Sequence, residues 1–227
     1  MTTNSTSSHT SARLTTCIQN MLTDAYVSIQ TLPQCPEIKL WLVDPKPMQR
    51  PFSQEEILSI QANPAYWAFC WASGQVLARH ILDNPQLVKN KRIMDFGAGS
   101  GIVAIACVMA GAKSVIACDI DAEALLSCQE NAKLNQVTFE LHHDLFEFDQ
   151  ELDLLIAADV LYDKENLPLL DVFLKKAPEV LVADSRVKNF DFPPYQAIGQ
   201  IDSFTVPDLD ELDEFRLVNL YHAKRRS

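Results

Sequence analysis

The stretch Arg92-Ile93-Met94-Asp95-Phe96-Gly97-Ala98-Gly99-Ser100-Gly101 decides the fold. An apolar run passes directly into a loop that holds three of the six glycines of the chain. The apolar positions after the loop, Ile102 to Ala106, open a helix. A strand, a glycine loop and a helix start form a ligand cradle. Glycine lets the backbone turn tightly and lie against a bound molecule, and the first helical N–H groups have no partner within the helix.

Spacing leaves two occupants open. Gly97 to Gly101 fits the G-x-G-x-G of methyl-donor sites, whereas Gly99 to Ala104 fits the dinucleotide pattern G-x-G-x-x-G/A. Charge separates them. Asp95 stands two residues before the first glycine and the loop contains no Lys or Arg, an arrangement that repels a pyrophosphate and attracts the ammonium and sulfonium of S-adenosylmethionine. The methyl donor is therefore the expected cofactor, with S-adenosylhomocysteine as its product. A NAD-dependent oxidoreductase is the lesser alternative.

Working outward, 227 residues with 48% hydrophobic content suffice for one sizeable α/β core. A net charge of -11 opposes a phosphate-rich polymer, so no nucleic-acid partner is expected, while partners with exposed Lys or Arg are drawn in. No segment has the length of a membrane span. Six cysteines without a C-x-x-C pair read as buried thiols in a reducing compartment. The cytoplasm is the expected location, and the mitochondrial matrix is the alternative for a eukaryotic source. The first twenty residues are rich in Ser and Thr and read as a disordered tail rather than a transit peptide.

Residues 1–60 are expected to form a tail and a helical and extended extension packed on a domain spanning 61–227. Leu14, Ile18, Leu22, Ala25 and Ile29 recur at steps of three and four, which predicts one amphipathic helix from about Ala12 to Gln30. Lys39 to Val43 reads as a short edge strand. Ser53 to Ala62 reads as a helix with Ser53 as N-cap and Glu56 closing a capping box. From Ser73 onward helices alternate with strands of continuous apolar character, Val115 to Cys118, Leu154 to Ala158 and Val180 to Ala183, as buried parallel strands require. A helix is predicted from about Glu165 to Lys176. Gln196 to Val206 and Phe215 to His222 lack a helix between them and predict an antiparallel closing pair. The acidic run Asp208 to Glu214 reads as a solvated turn.

In a doubly wound sheet the ligand lies across the C-terminal strand ends, so the residues there are the candidates. After the second strand comes Asp119, placed to accept from both ribose hydroxyls, with Asp121 beside it. The third ends at His142-His143-Asp144-Leu145. Asp144 is placed for an adenine amino group, and Leu145 offers a backbone N–H and an apolar edge. The two histidines point to opposite faces of a strand, so no metal site is expected. The fourth ends at Asp159-Val160-Leu161-Tyr162, an acid and an aromatic at the cleft mouth, with Asp163 as a helix cap. Among the aromatics Tyr66, Trp67, Phe69 and Trp71, Trp71 is singled out because it precedes a helix start at Ser73-Gly74.

Together, Trp71 to Gly74, Asp95 to Gly101, Asp119 and Asp159 to Tyr162 resemble the seven-β-strand methyltransferases that use S-adenosylmethionine, over nearly the whole chain from Trp67. Within them the residues resemble the protein-lysine branch marked by D-x-x-Y, which includes the lysine methyltransferases of the electron transfer flavoprotein beta subunit. The resemblance implies a Rossmann-like sheet of order 3-2-1-4-5-7-6 with strand 7 antiparallel. It implies cofactor contacts at Trp71, Asp95, Gly97, Gly99, Gly101, Asp119, Ile120, Asp144 and Leu145, and a catalytic neighbourhood at Asp159 and Tyr162. The implied acceptor is the lysine of a protein substrate; a small amine such as nicotinamide is the alternative.

Overall fold

A computed structural model of the chain describes residues 11–187, 189–208 and 213–225. Its main sheet is built from β3 (Arg92–Phe96), β4 (Ser114–Cys118), β5 (Glu140–His142), β6 (Leu154–Ala158), β7 (Glu179–Asp184), β8 (Gln196–Asp202) and β9 (Leu217–Lys224), in the order β5-β4-β3-β6-β7-β9-β8. Pairing is parallel from β5 across to β7, and β9 runs antiparallel to both β7 and β8. Counted from β3 as the first strand, the order is 3-2-1-4-5-7-6 with the seventh reversed, as the resemblance implied.

Alternation along the strands divides the core in two. Ile93, Val115, Ala117, Leu154 and Ile156 face α3 (Ala72–Asp83) and α4 (Ile102–Met109), joined by Cys128 of α5 (Ala122–Leu134). Met94, Ile116, Leu155, Ala157 and Val180 face α6 (Leu169–Lys176), with Phe173 and Leu170 between. Helices on both faces explain why these strands are apolar at every position. The loops at the C-terminal ends of β3, β4 and β6 are thereby brought side by side.

Two expected helices are shortened. The predicted helix over residues 12–30 ends early as α1 (Ala12–Gln19), and β1 (Val27–Thr31) follows, paired antiparallel with β2 (Lys39–Val43). Leu22 and Ala25 are buried as the period foretold, but Val27, Ile29 and Thr31 are β-branched and find a strand partner, which outweighs a helical spacing. The hairpin is fastened to α5, where Asn131 Oδ1 accepts from Trp41 N at 2.7 Å and Asn135 Oδ1 from Lys39 N at 3.0 Å. The helix expected from Glu165 begins only at Leu169, because Pro168 at its N-cap has no N–H to continue a helix from the 3-10 turn Lys164–Asn166. By contrast α2 (Gln54–Ala62) has the expected Ser53–Glu56 capping box. The seven-residue acidic turn expected before β9 falls partly on 209–212, outside the described residues, as do the first ten of the twenty residues read as a tail, whereas Ala12–Gln19 of that stretch form α1 with Leu14 and Ile18 buried.

Candidate active site

Gly97, Gly99 and Gly101 all have positive φ, at 67°, 52° and 79°. At Gly97 the constraint is also steric, since a Cβ would stand 2.6 Å from Val160 Cγ1, inside the contact limit. At Gly99 the nearest atom to such a Cβ is Gly97 O at 3.9 Å, so the backbone there is bare and approachable. The loop is held from two sides. Gly97 N donates to Cys118 O at 2.9 Å, and Asn131 Nδ2 donates to Ser100 O at 2.8 Å.

Asp119 follows β4 and faces this loop. Its Oδ2 accepts from Gly99 N at 2.9 Å and its Oδ1 from Asp121 N at 3.0 Å. Each oxygen keeps a further lone-pair direction, which is what a vicinal diol needs. Burial pushes the Asp119 carboxyl up, and the two backbone donors pull it back. Asp121 turns away to cap α5 through Glu123 N at 2.8 Å. Ile120, between them, is exposed.

Asp95 stands differently from the expectation. It is 2% exposed, and its Oδ2 accepts from Ala104 N at 2.9 Å in the first turn of α4. Burial pushes its carboxyl up to about 8, which favours the neutral form near pH 7. It braces the helix start from beneath. Leu145 also differs. Its side chain is buried in the core, and the exposed apolar edge after β5 is Phe146, whose N–H is held by Asp144 Oδ1 at 2.8 Å. Sequence reasoning missed Phe146 because periodicity does not distinguish two neighbouring apolar residues. His142 packs edge-on against Phe148, His143 is exposed, and no cluster of metal-ligating side chains occurs among the described residues.

Beyond β6, Asp159 adopts φ 52°, a left-handed conformation that costs a non-glycine residue about 1 kcal/mol. Its Oδ2 accepts from Ser73 N at 3.0 Å, and its Oδ1 accepts from Ser73 Oγ at 2.6 Å and Ser185 Oγ at 3.3 Å. The acid therefore secures the start of α3, a partner 86 positions away, while burial pushes its carboxyl up to about 6. One acceptor direction remains at Oδ2. Asp163 caps the following 3-10 turn as expected.

Around the mouth the aromatic rings form a chain. Tyr162 lies 5.7 Å from Tyr66, Tyr66 lies 5.9 Å from Trp71, and Trp71 lies 5.7 Å from Phe69 between centroids. Trp71 Nε1 donates to Tyr66 O at 3.0 Å, which fixes the lip. Tyr162 is 60% and Tyr66 48% exposed, so the mouth opens to the surface. A fourth acid, Asp184, ends β7. It is buried, and its Oδ1 accepts from Arg186 N and Val187 N at 2.9 and 2.6 Å, turning the chain so that Ser185 reaches Asp159. The strand-end rule that selected Asp119, Asp144 and Asp159 applies equally to Asp184, and it was the available signal.

A seven-strand sheet of this order, with a bare glycine loop after its first strand and a carboxylate facing that loop from the second, defines the class: the protein is an S-adenosylmethionine-dependent methyltransferase. Residues 76–164 match the family model described as ribosomal protein L11 methyltransferase. The electron transfer flavoprotein beta subunit lysine methyltransferase of Rattus norvegicus is 32% identical over 187 residues, 78% of this chain and 72% of the rat protein. Its Homo sapiens counterpart is 36% identical over 144 residues, 62% of this chain and 54% of that protein. Magnesium protoporphyrin IX methyltransferase from Synechocystis PCC 6803, solved with bound S-adenosylmethionine, shares the fold at TM-score 0.51 and 13% identity over 80% of this chain and 89% of that one. The chain belongs to the family of the electron transfer flavoprotein beta subunit lysine methyltransferases. The dinucleotide reading of Gly99 to Ala104 is set aside accordingly. No helix among the described residues is long and apolar enough to cross a membrane.

Proposed function

We propose that the enzyme methylates a lysine side chain on a folded protein, and that the beta subunit of electron transfer flavoprotein, the acceptor named for its relatives, is the acceptor class to test first. The open aromatic mouth carries this reading: Tyr66 and Tyr162 are both exposed, a wall for one inserted chain rather than an enclosed cell for a small amine. A reducing location such as the cytoplasm goes with the five buried thiols.

The cofactor supplies an electrophilic methyl group on a sulfonium. We assign the cofactor ribose to Asp119, the adenine to the strip formed by Ile120, Asp144 and the exposed Phe146, and the backbone cradle to Gly97, Gly99 and Gly101. Leu145 contributes backbone only, and Asp95 acts through α4. Trp71, expected as a cofactor contact, is fixed in the aromatic lip by Tyr66 and with Tyr162 walls the acceptor channel. Their rings replace water around the incoming side chain, which favours the neutral, nucleophilic amine over the ammonium. Asp159, pinned by Ser73 and Ser185, presents its remaining acceptor direction to an N–H of that amine and so aims the nitrogen lone pair. Its carboxylate is too weak a base to strip the ammonium outright, and its work is orientation.

The test is incubation of the enzyme with purified electron transfer flavoprotein and isotopically labelled donor, read by intact-protein and peptide mass spectrometry, with nicotinamide as a parallel acceptor. Label on lysine of the beta subunit is expected. Label on nicotinamide alone refutes the protein acceptor.

A further inference from the structure

Helix α2 has no structural reason to carry its apolar side chains outward. None of its nine residues is buried, yet Ile57 and Leu58 are 37% and 57% exposed. A helix shorter than about 12–15 residues is marginal without a packed face. This one is held at its start instead: by the capping box, and by Arg50, whose guanidinium donates to Glu56 Oε2 at 3.0 Å and to Asp24 Oδ1 at 2.7 Å. That clamp fixes the helix and leaves its apolar ridge to solvent.

Position and charge indicate what covers the ridge. From Ala62 the chain needs only four residues to reach Tyr66, so the C-terminal end of α2 lies within about 14 Å of the aromatic mouth. Ile57 and Leu58 on α2, and Tyr66 at the mouth, are each exposed. Between Pro51 and Ala78 the chain has no Lys, Arg or His, and with Glu56 held by Arg50 the charge it presents is Glu55. Such a surface suits a partner whose own charges near the contact are cationic, as around a target lysine.

We infer that α2 is the docking element for the folded acceptor protein, with Ile57 and Leu58 packing on an apolar patch beside the target lysine and the cation-free segment meeting its basic rim. This rests on the protein-lysine reading and adds the surface that reads the protein.

The experiment compares full-length wild type with Ile57→Ser, Leu58→Ser and the double variant. Electron transfer flavoprotein is the varied acceptor, calorimetry gives donor affinity, and sedimentation gives oligomeric state. Ile198→Ser, exposed on β8, is the surface control. The double variant is expected to raise KM for the flavoprotein about tenfold, as truncating apolar anchors does, with kcat and donor affinity unchanged. The control is expected to match wild type. An unchanged KM overturns the inference, as does a parallel fall in donor affinity, which makes the ridge structural. A wild-type dimer dissolved by Leu58→Ser overturns it too, with a second copy as the occupant. Should the wild type leave the flavoprotein unmethylated, the acceptor reading itself falls and takes this inference with it. Methylation that is equal in wild type and variants removes the docking role alone.

Discussion

Asp95→Asn isolates the cost of burying an acid beneath the glycine loop. In the folded chain the Asp95 carboxyl is pushed up to about 8, chiefly by burial, with the Ala104 N–H opposing and the Asp119 charge adding. In the unfolded chain it titrates near 3.9, as a solvated aspartate does. Below about pH 4 both states hold the proton and the group costs nothing. Between about 4 and 8 the unfolded state ionises alone, so stability falls by about 1.4 kcal/mol per pH unit as pH rises. The cumulative cost is about 4 kcal/mol at pH 7 and levels off above about pH 8. Asparagine keeps an acceptor for Ala104 N and cannot ionise, so the variant lacks this slope. Urea unfolding of both proteins at half-unit steps from pH 5 to 9 measures it. The stability of wild type relative to variant is expected to decline steadily to about pH 8 and then flatten. Parallel curves would refute the assignment of a neutral, buried Asp95.

Replacing Asp119 by Ala removes the acceptor for Gly99 N and the proposed diol contact, so donor affinity by calorimetry is expected to fall at least about thirtyfold, roughly 2 kcal/mol; unchanged affinity refutes the ribose assignment. Gly97→Ala sets a methyl 2.6 Å from Val160 Cγ1 at a φ of 67°, with an expected loss of about 2 kcal/mol in thermal unfolding. Adding Val160→Ala is expected to recover only the steric part. Asp159→Ala leaves Ser73 N and Oγ without their acceptor and is expected to cost about 2–3 kcal/mol of stability along with turnover. Asp159→Asn retains much of the stability yet loses turnover, and full turnover in it contradicts the orienting role. Because the Asp159 carboxyl sits at about 6, wild-type turnover is expected to decline as pH falls through that value, and the decline is absent from the residual rate of Asp159→Asn.

Much of the sheet was legible because its signals are local. Val115 to Cys118 and Leu154 to Ala158 are apolar at every position, and only a strand covered on both faces needs that. Gly97 to Gly101 declared a backbone that side chains would obstruct. The Ser53 to Glu56 box closes within one turn, so it could be read and was found. Signals that depend on distant partners were misread or silent. Residues 27–31 kept a helical spacing while their hydrogen bonds went to β2, and Phe146 was not told from Leu145 until the 3-10 turn after Asp144 set one inward and one outward.

Candidate acids were therefore identified in sequence, and their duties were assigned by packing. A carboxylate's type and its place at a strand end are fixed by neighbours in the chain, which is why Asp95, Asp119, Asp144 and Asp159 could be named. Whether each is neutral or charged, presented or spent, depends on the dielectric and donors that folding gathers: Ala104 beneath Asp95, Gly99 against Asp119, and Ser73 and Ser185 around Asp159. Proton affinity is set by burial and hydrogen bonding, and both exist only once remote segments meet.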